Sequence, residues 1–228
     1  MTVVFCPQPP LLVPAVSGAP SDATSVLRAA ASRAVQSMLA QGPDVVVVVG
    51  DGVDGGRFGP GDAGDLRGYG VDLEVPFAGR ARPGGQRTPL AHTLGAWLLD
   101  REGHTGTRLG VGPHDLADAL ADALAGVPGG AGVLAMGDGS ARRGEKAPGH
   151  LDPAAGPFDA AVAAALAAGD TAALAGLDPV EGARLLAAGV PVWRAVGAAL
   201  AGRPVTAHLS YDDAPFGVGY LVAEWRTT

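Results

Sequence analysis

Apolar positions follow two rhythms along this chain, short unbroken runs and helical stripes, and the two alternate. Residues 3–6 form an apolar run that stops at Pro7, as a buried strand entering a loop does. Over 21–41, Val26, Leu27, Ala30, Val35, Met38 and Leu39 recur at near-helical spacing, with Ser21 or Asp22 as cap and Gly42-Pro43 as stop. Five consecutive valines at 45–49 have the pattern of a central parallel strand covered on both faces. Residues 50–70 are glycine-dense and weakly apolar, which predicts a long loop followed by a short strand at 71–75.

Leu90, Leu94, Trp97 and Leu98 predict a helix over 89–102, followed by a strand at 108–111. A helix over 115–125, closed by Gly126, leads to a strand at 132–136. Helices are predicted at 158–168, from Thr171, from Asp178-Pro179 and over 191–200, before two strands, 205–211 and 217–225, in a closing hairpin. This alternation predicts an α/β fold: one domain, residues 1–228, with a central mostly parallel or mixed sheet flanked by helices. The chain has no repeat of fixed period.

Composition narrows the function classes. The chain is 47% hydrophobic and 17% charged, and its 36 glycines and 19 prolines lie between periodic segments, so they predict loops rather than disorder. A net charge of -7 gives no chain-wide attraction for nucleic acid or anionic membranes, and no apolar run approaches the roughly 20 residues that span a bilayer. A single cysteine, Cys6, excludes an intrachain disulfide and fits a reducing compartment; with no basic leader before the early prolines, a cytoplasmic location is expected. The chain has no Ile, no Asn and a lone lysine, Lys146, as a high-GC coding sequence yields.

In open α/β sheets, ligands gather outside the carboxyl ends of strands. Three loops meet that description: Cys6-Pro7-Gln8-Pro9-Pro10, Gly50-Asp51-Gly52, and the charged segment 137–152, with Ser210-Tyr211-Asp212-Asp213 as a fourth wall. Arg142, Arg143 and Lys146 offer forks and a point charge for a carboxylate or phosphate, while Asp138, Glu145 and Asp152 offer local neutralisation instead. Ser140 lies near His150 and Asp152 in sequence, but outside a GxSxG elbow. The five histidines lack HxH or HExxH spacing, and His92 reads as a packed or surface side chain. Cys6 reads either as a small buried hydrophobe or as part of a site.

In order, several segments resemble the class III extradiol dioxygenase superfamily, the LigB-like fold that includes the MEMO-like proteins. They are the strand into Cys6-Pro7-Gln8-Pro9-Pro10, Pro43-Asp44 with the valine run and Gly50, Gly137-Asp138-Gly139-Ser140, Phe158-Asp159, and Tyr211-Asp212-Asp213-Ala214-Pro215-Phe216-Gly217-Val218-Gly219-Tyr220. The resemblance implies a LigB-like fold whose pocket holds non-haem Fe(II) by two His and one Glu, with a further His as acid/base. This chain departs at each such position: Gln8 and Gly50-Asp51 replace the two His, Ala141 the acid/base, and Ala188-Gly189-Val190 the Glu. Asp51 with an amide would hold Fe(II) weakly, so no cofactor and no iron-dependent ring cleavage are expected.

Two functional readings follow. In one, a metal-free member binds a small anionic ligand, or a paralogous subunit, through Cys6, Gln8, Asp138, Arg142, Arg143, Lys146 and Tyr211. In the other, a divergent enzyme acts on an aromatic or anionic substrate, with His150, Asp51 or Ser140 as catalytic groups and the cations holding charge. The apolar, Pro-rich segment 9–14 is also a candidate homo-oligomer surface.

Overall fold

The valine run forms the strand that the rest of the molecule is built around. In the computed structural model, which describes residues 1–18, 21–52, 56–126 and 130–227 (123–126 by backbone alone), Val45–Val49 is strand β2 and all five residues are buried. Each such valine contributes on the order of 2 kcal/mol by leaving water, enough to outweigh the cost of ordering its backbone.

The other strands are β1 (Thr2–Cys6), β3 (Arg57–Phe58), β4 (Ala63–Asp65), β5 (Glu74–Pro76), β6 (Thr107–Val111), β7 (Ala131–Met136), β8 (Val205–Asp213) and β9 (Tyr220–Thr227). The helices are α1 (Pro14–Ser17), α2 (Asp22–Leu39), α3 (Leu90–Arg101), α4 (Leu116–Gly126), α5 (Ala155–Ala168), α6 (Thr171–Ala175), α7 (Pro179–Arg184) and α8 (Val190–Ala199). Seven strands make one sheet in the order β3-β6-β2-β7-β1-β9-β8, and β4 pairs with β5 separately. The four strands β6, β2, β7 and β1 are parallel, while β3, β9 and the β8–β9 pairing are antiparallel. This is the predicted α/β domain with a mostly parallel, mixed sheet flanked by helices.

Alternate residues of each central strand serve two cores. Val3, Phe5, Val45, Val47 and Val133 pack against α4, α5, α6 and α8, with Trp193 and Trp225 as the largest buried rings. Val4, Cys6, Val46, Val48 and Leu134 pack against α2, α3 and the small sheet. Ser21 caps α2 by accepting the Thr24 N–H, and Asp178 caps α7 by accepting the Val180 N–H, as the sequence predicts.

Two expectations need correction. The long loop at 50–70 holds β3 and β4 among its described residues (53–55 lie outside them), and β5 at 74–76 replaces the strand expected at 71–75. Thr88 and Thr93 hydroxyls, 2.9 Å apart, sit where a side chain at Gly64 would stand, so a glycine-rich segment folds flat onto α3. The Pro-rich segment 9–14 is a 3-10 turn running into α1, with Leu12 and Val13 buried in the core. Arg28 of α2 pins that turn by donating to the carbonyls of Leu12 and Leu11 at 2.7 and 3.2 Å. Pro9, Leu12 and Val13 face inward, while Pro10 and Leu11 are half-buried and Pro14 is exposed.

Candidate functional site

After β1 the chain leaves toward the α2 face, and after β7 toward the α5 face. Neighbouring strands whose connections diverge in this way mark a switch point at their carboxyl ends. Two hydrogen bonds cross it: the Gly137 N–H donates to the Cys6 carbonyl at 2.9 Å, and the Gln8 N–H donates to Asp138 Oδ1 at 2.7 Å. Loops 6–10 and 137–140, two of the three loops singled out in the sequence, therefore meet. A side chain at Gly137 would collide with the backbone of Gly189, and this close approach lets the Gly189 N–H donate to the Asp138 carbonyl at 2.8 Å.

Asp138 is half-buried, and among the described residues no cation pairs with it. Burial pushes its carboxyl up to about 7, although the Gln8 N–H pulls the other way. The Gln8 side-chain carbonyl, Oε1, is buried with no hydrogen-bond partner among the described residues. Tyr220 is buried beside them; desolvation first, then the charge on Asp138, raises its phenol. Half-buried Tyr211 has its phenol raised by burial and by Asp213.

A β-bulge brings Tyr211 here. Val205, Ala207 and Leu209 turn toward α5, but the register shifts between Leu209 and Tyr211, where the Ser210 hydroxyl donates to the Val222 carbonyl at 3.2 Å. One extra residue reverses which face the strand presents, so Tyr211 joins Tyr220 and Val222 on the other side. Cys6 is buried and its thiol is pushed up to about 12 by desolvation, so it packs as a small apolar side chain and is no thiolate.

The charged segment is organised differently. Ser140 is fully buried: its N–H donates to Asp159 Oδ1 at 2.8 Å and its hydroxyl donates to the Leu185 carbonyl at 2.8 Å while accepting the Arg142 N–H at 3.1 Å. A hydroxyl so committed is not a nucleophile, which corrects the catalytic reading of Ser140. Arg143 Nη1 donates to Asp159 Oδ2 at 2.9 Å. Burial raises the Asp159 carboxyl even though Ser140 and Arg143 pull it down. A side chain at Gly219 would run into that carboxylate, so Asp159 bolts 139–143 to the β8–β9 connection. Asp152 pairs with Arg184, and the Ala154 N–H and Arg184 hold its carboxyl below the usual range.

Four other expected site residues are not joined to Gln8, Asp138 or Tyr211 by a hydrogen bond or ion pair among the described residues. Lys146 is exposed and without an ion pair, and His150 is exposed with a left-handed backbone at φ 57°. Arg142 is half-buried, its Nε without a partner. Exposed Asp51 borders a cleft of about 410 Å³, lined also by Pro179, Leu186, Ala188, Val190 and Pro191. The structure thus brings Cys6, Gln8, Asp138 and Tyr211 together and leaves the cations outside.

Sequence reasoning passed over Tyr220 and the role of Asp159; the legible signal for Asp159 was a single acid within the alanine-rich helix α5. His92 belongs to the core. It is fully buried among Phe58 and Phe77, its Nε2 lies 2.9 Å from the Val111 carbonyl, Nδ1 has no partner, and desolvation lowers it to about 4.

The iron that the resemblance implies does not fit these donors. Gln8 contributes an amide, and in the cleft that Asp51 shares with Ala188 and Val190 it is the sole carboxylate among the lining residues. Among the described residues no group of three or more His, Cys, Asp or Glu is placed to hold a metal ion, and no helix is long and apolar enough to cross a membrane.

No family model matches the chain, and no curated protein matches it. Among solved structures, it is similar to an uncharacterized protein, JW3007, from Escherichia coli K12, with a TM-score of 0.51 and 14% identity over 99% of each chain. The likeness is one of fold.

Proposed function

We propose that this protein is a divergent member of the class III extradiol dioxygenase superfamily that has given up iron-dependent ring cleavage and binds a small molecule in the crevice between β1 and β7. One observation carries the reading: at the ends of these strands the half-buried Asp138 has no cation paired with it among the described residues, and Gln8, whose N–H it accepts, holds a buried side-chain oxygen without a partner there. Folded chains rarely leave such groups unpaired unless something else satisfies them. The order of the sequence segments, and a crevice built from the segments that resemble the family's pocket, support the superfamily assignment.

The second reading is an enzyme using Asp51, Arg142, Lys146 and His150 on an aromatic or anionic substrate. It draws on the unpaired Nε of Arg142. Ser140 has no place in it, and Arg143 is neutralised by Asp159.

The test combines oxygen uptake with binding. Protein supplied with Fe(II) and catechol is expected to consume no oxygen above the protein-free blank, while a library of small aromatic compounds yields ligands whose affinity falls tenfold or more in Gln8→Ala. Ring-cleavage product formed at a rate proportional to protein would overturn the loss of iron chemistry. Ligand affinities indifferent to Gln8 and Asp138 would move the site elsewhere.

A further inference from the structure

Two clefts on the α7–α8 side of the molecule share a wall. The one that Asp51 borders, of about 410 Å³, and a second of about 670 Å³ are both lined by Pro179 and Pro191, so they form one continuous groove. In the first cleft a side chain at Gly182 would collide with Val190, so α7 lies close on α8 there. Leu186, also in its lining, is exposed and has a left-handed backbone at φ 56°, a conformation that bulky residues adopt rarely and that recurs at ligand clamps. The second cleft follows α8 past Pro191 to Arg194, Ala195 and Ala198, with His114, from the turn after β6, in its lining. Charge is divided between the two. Asp51 is the sole ionisable residue lining the first cleft, His114 and Arg194 are the only ones lining the second, and every other lining residue is apolar. Among the described residues Asp51 and His114 have no hydrogen bond or ion pair, and Arg194 donates to the Leu177 carbonyl but has no carboxylate partner. Asp115, Asp178 and Glu181 adjoin the groove in sequence without lining it; Asp178 caps α7 and Glu181 pairs with Arg184.

We infer that this groove binds an elongated zwitterion, an alkyl chain that carries an ammonium group to Asp51 and a carboxylate to Arg194 and His114. The inference goes beyond the reading above and does not depend on it, since none of Gln8, Asp138 and Tyr211 lines the groove. A carboxylate only accepts hydrogen bonds and a guanidinium only donates them, so each end of the ligand must have the opposite character to the residue it meets. The apolar lining between the two ends takes methylenes out of water. Arg194 lies one turn, about 5 Å, along α8 from the shared Pro191, so a short alkyl chain reaches from one cleft into the other. Each cleft falls within the range of about 300–1,000 Å³ common to small-molecule sites. A fatty acid or an alkylammonium of the same length would leave one end of the groove without its counter-charge.

The probes are ε-aminocaproate and its eight-carbon homologue ω-aminocaprylate, each set against the fatty acid and the alkylammonium of the same chain length. They are titrated into the full chain by calorimetry and into protein labelled with 13C at the alanine methyls. The tighter of the two zwitterions is expected to bind in a saturable way, at least tenfold more tightly than either single-ended analogue, and to shift the methyls of Ala188, Ala195 and Ala198. Asp51→Asn should bring it down to the affinity of the fatty acid, and Arg194→Gln to that of the alkylammonium. The preference and the methyl shifts are read in the unaltered chain, so they do not depend on a variant folding. A zwitterion bound no more tightly than its single-ended analogues, a preference that survives either variant, or methyl shifts confined to residues outside the groove would overturn the inference. So would the absence of binding by every probe at millimolar concentration. None of these outcomes bears on the ligand-binding reading above, whose test runs through Gln8.

Discussion

Two aspartates, half-buried Asp138 and buried Asp159, lie on either side of the loop that follows β7, and they have opposite surroundings. Asp159 accepts the Ser140 N–H and the Arg143 guanidinium, and it is closed in by Gly139 and Gly219. Asp138 accepts one N–H and has no cation, with an orphaned carbonyl oxygen nearby. A satisfied buried acid is a structural bolt, whereas an unsatisfied one is available to a ligand. Density of charge in the sequence points to the first; the crevice is built around the second.

The largest effect that separates them is on folding. Asp159→Ala strands Arg143 and the Ser140 N–H, and is expected to cost about 3 kcal/mol in urea unfolding. A loss below about 1 kcal/mol would erase the contrast with Asp138.

Asp138→Asn should act in the opposite direction and with pH. With its folded carboxyl at about 7 against an ordinary 3.8, Asp138 carries no penalty below about pH 4. The penalty builds as the unfolded carboxyl ionises first, and it is complete above about pH 7. The variant is therefore expected to be more stable at pH 8 by about 2 kcal/mol, allowing for partial exposure, and unchanged at pH 4. His92 works with the opposite sign. Lowered to about 4 from 6.5, it contributes stability that is present above pH 6.5 and lost as pH falls through 4. The two slopes offset one another between pH 4 and 6.5 in the natural chain, so Asp138→Asn should expose a stability that rises with pH across that window. Chemical unfolding at several pH values checks both; a variant as pH-flat as the natural chain would show that Asp138 ionises normally.

A smaller effect is expected from Ser140→Ala, which leaves the Leu185 carbonyl and the Arg142 N–H without the hydroxyl they share. It should cost about 1 kcal/mol and leave ligand affinity intact. Weakened binding with unchanged stability would return Ser140 to the site. The smallest belongs to Lys146→Ala, within about 0.5 kcal/mol in stability and without effect on affinity, since the exposed lysine touches no fixed partner.

Much of the architecture was legible in the sequence because the fold uses burial on both faces. An uninterrupted valine run has no polar side to turn outward, so it specifies a central strand, and Gly/Pro punctuation together with Ser21 and Asp178 specifies where helices begin and end. The segment 50–76 was misread because β3, β4 and β5 are two or three residues long, too short for any periodicity to show. Loops 6–10, 50–52 and 137–152 were legible as candidates at the carboxyl ends of strands, but which of them meet was not, because that contact is made between distant parts of the chain.

The sequence by itself determined the strand and helix alternation, the central place of β2 and the loops that gather at the carboxyl ends, since these follow from apolar spacing and turn chemistry along the chain. Only the tertiary structure decided which acid is satisfied. Arg143 reaches Asp159 across sixteen residues, Gln8 reaches Asp138 across 130, and a single bulge at Ser210 turns Tyr211 to the crevice side. A charge is neutralised by whatever lies within a few ångströms of it in space, and that distance is set by the packing of β1, β7 and β9, not by separation along the chain.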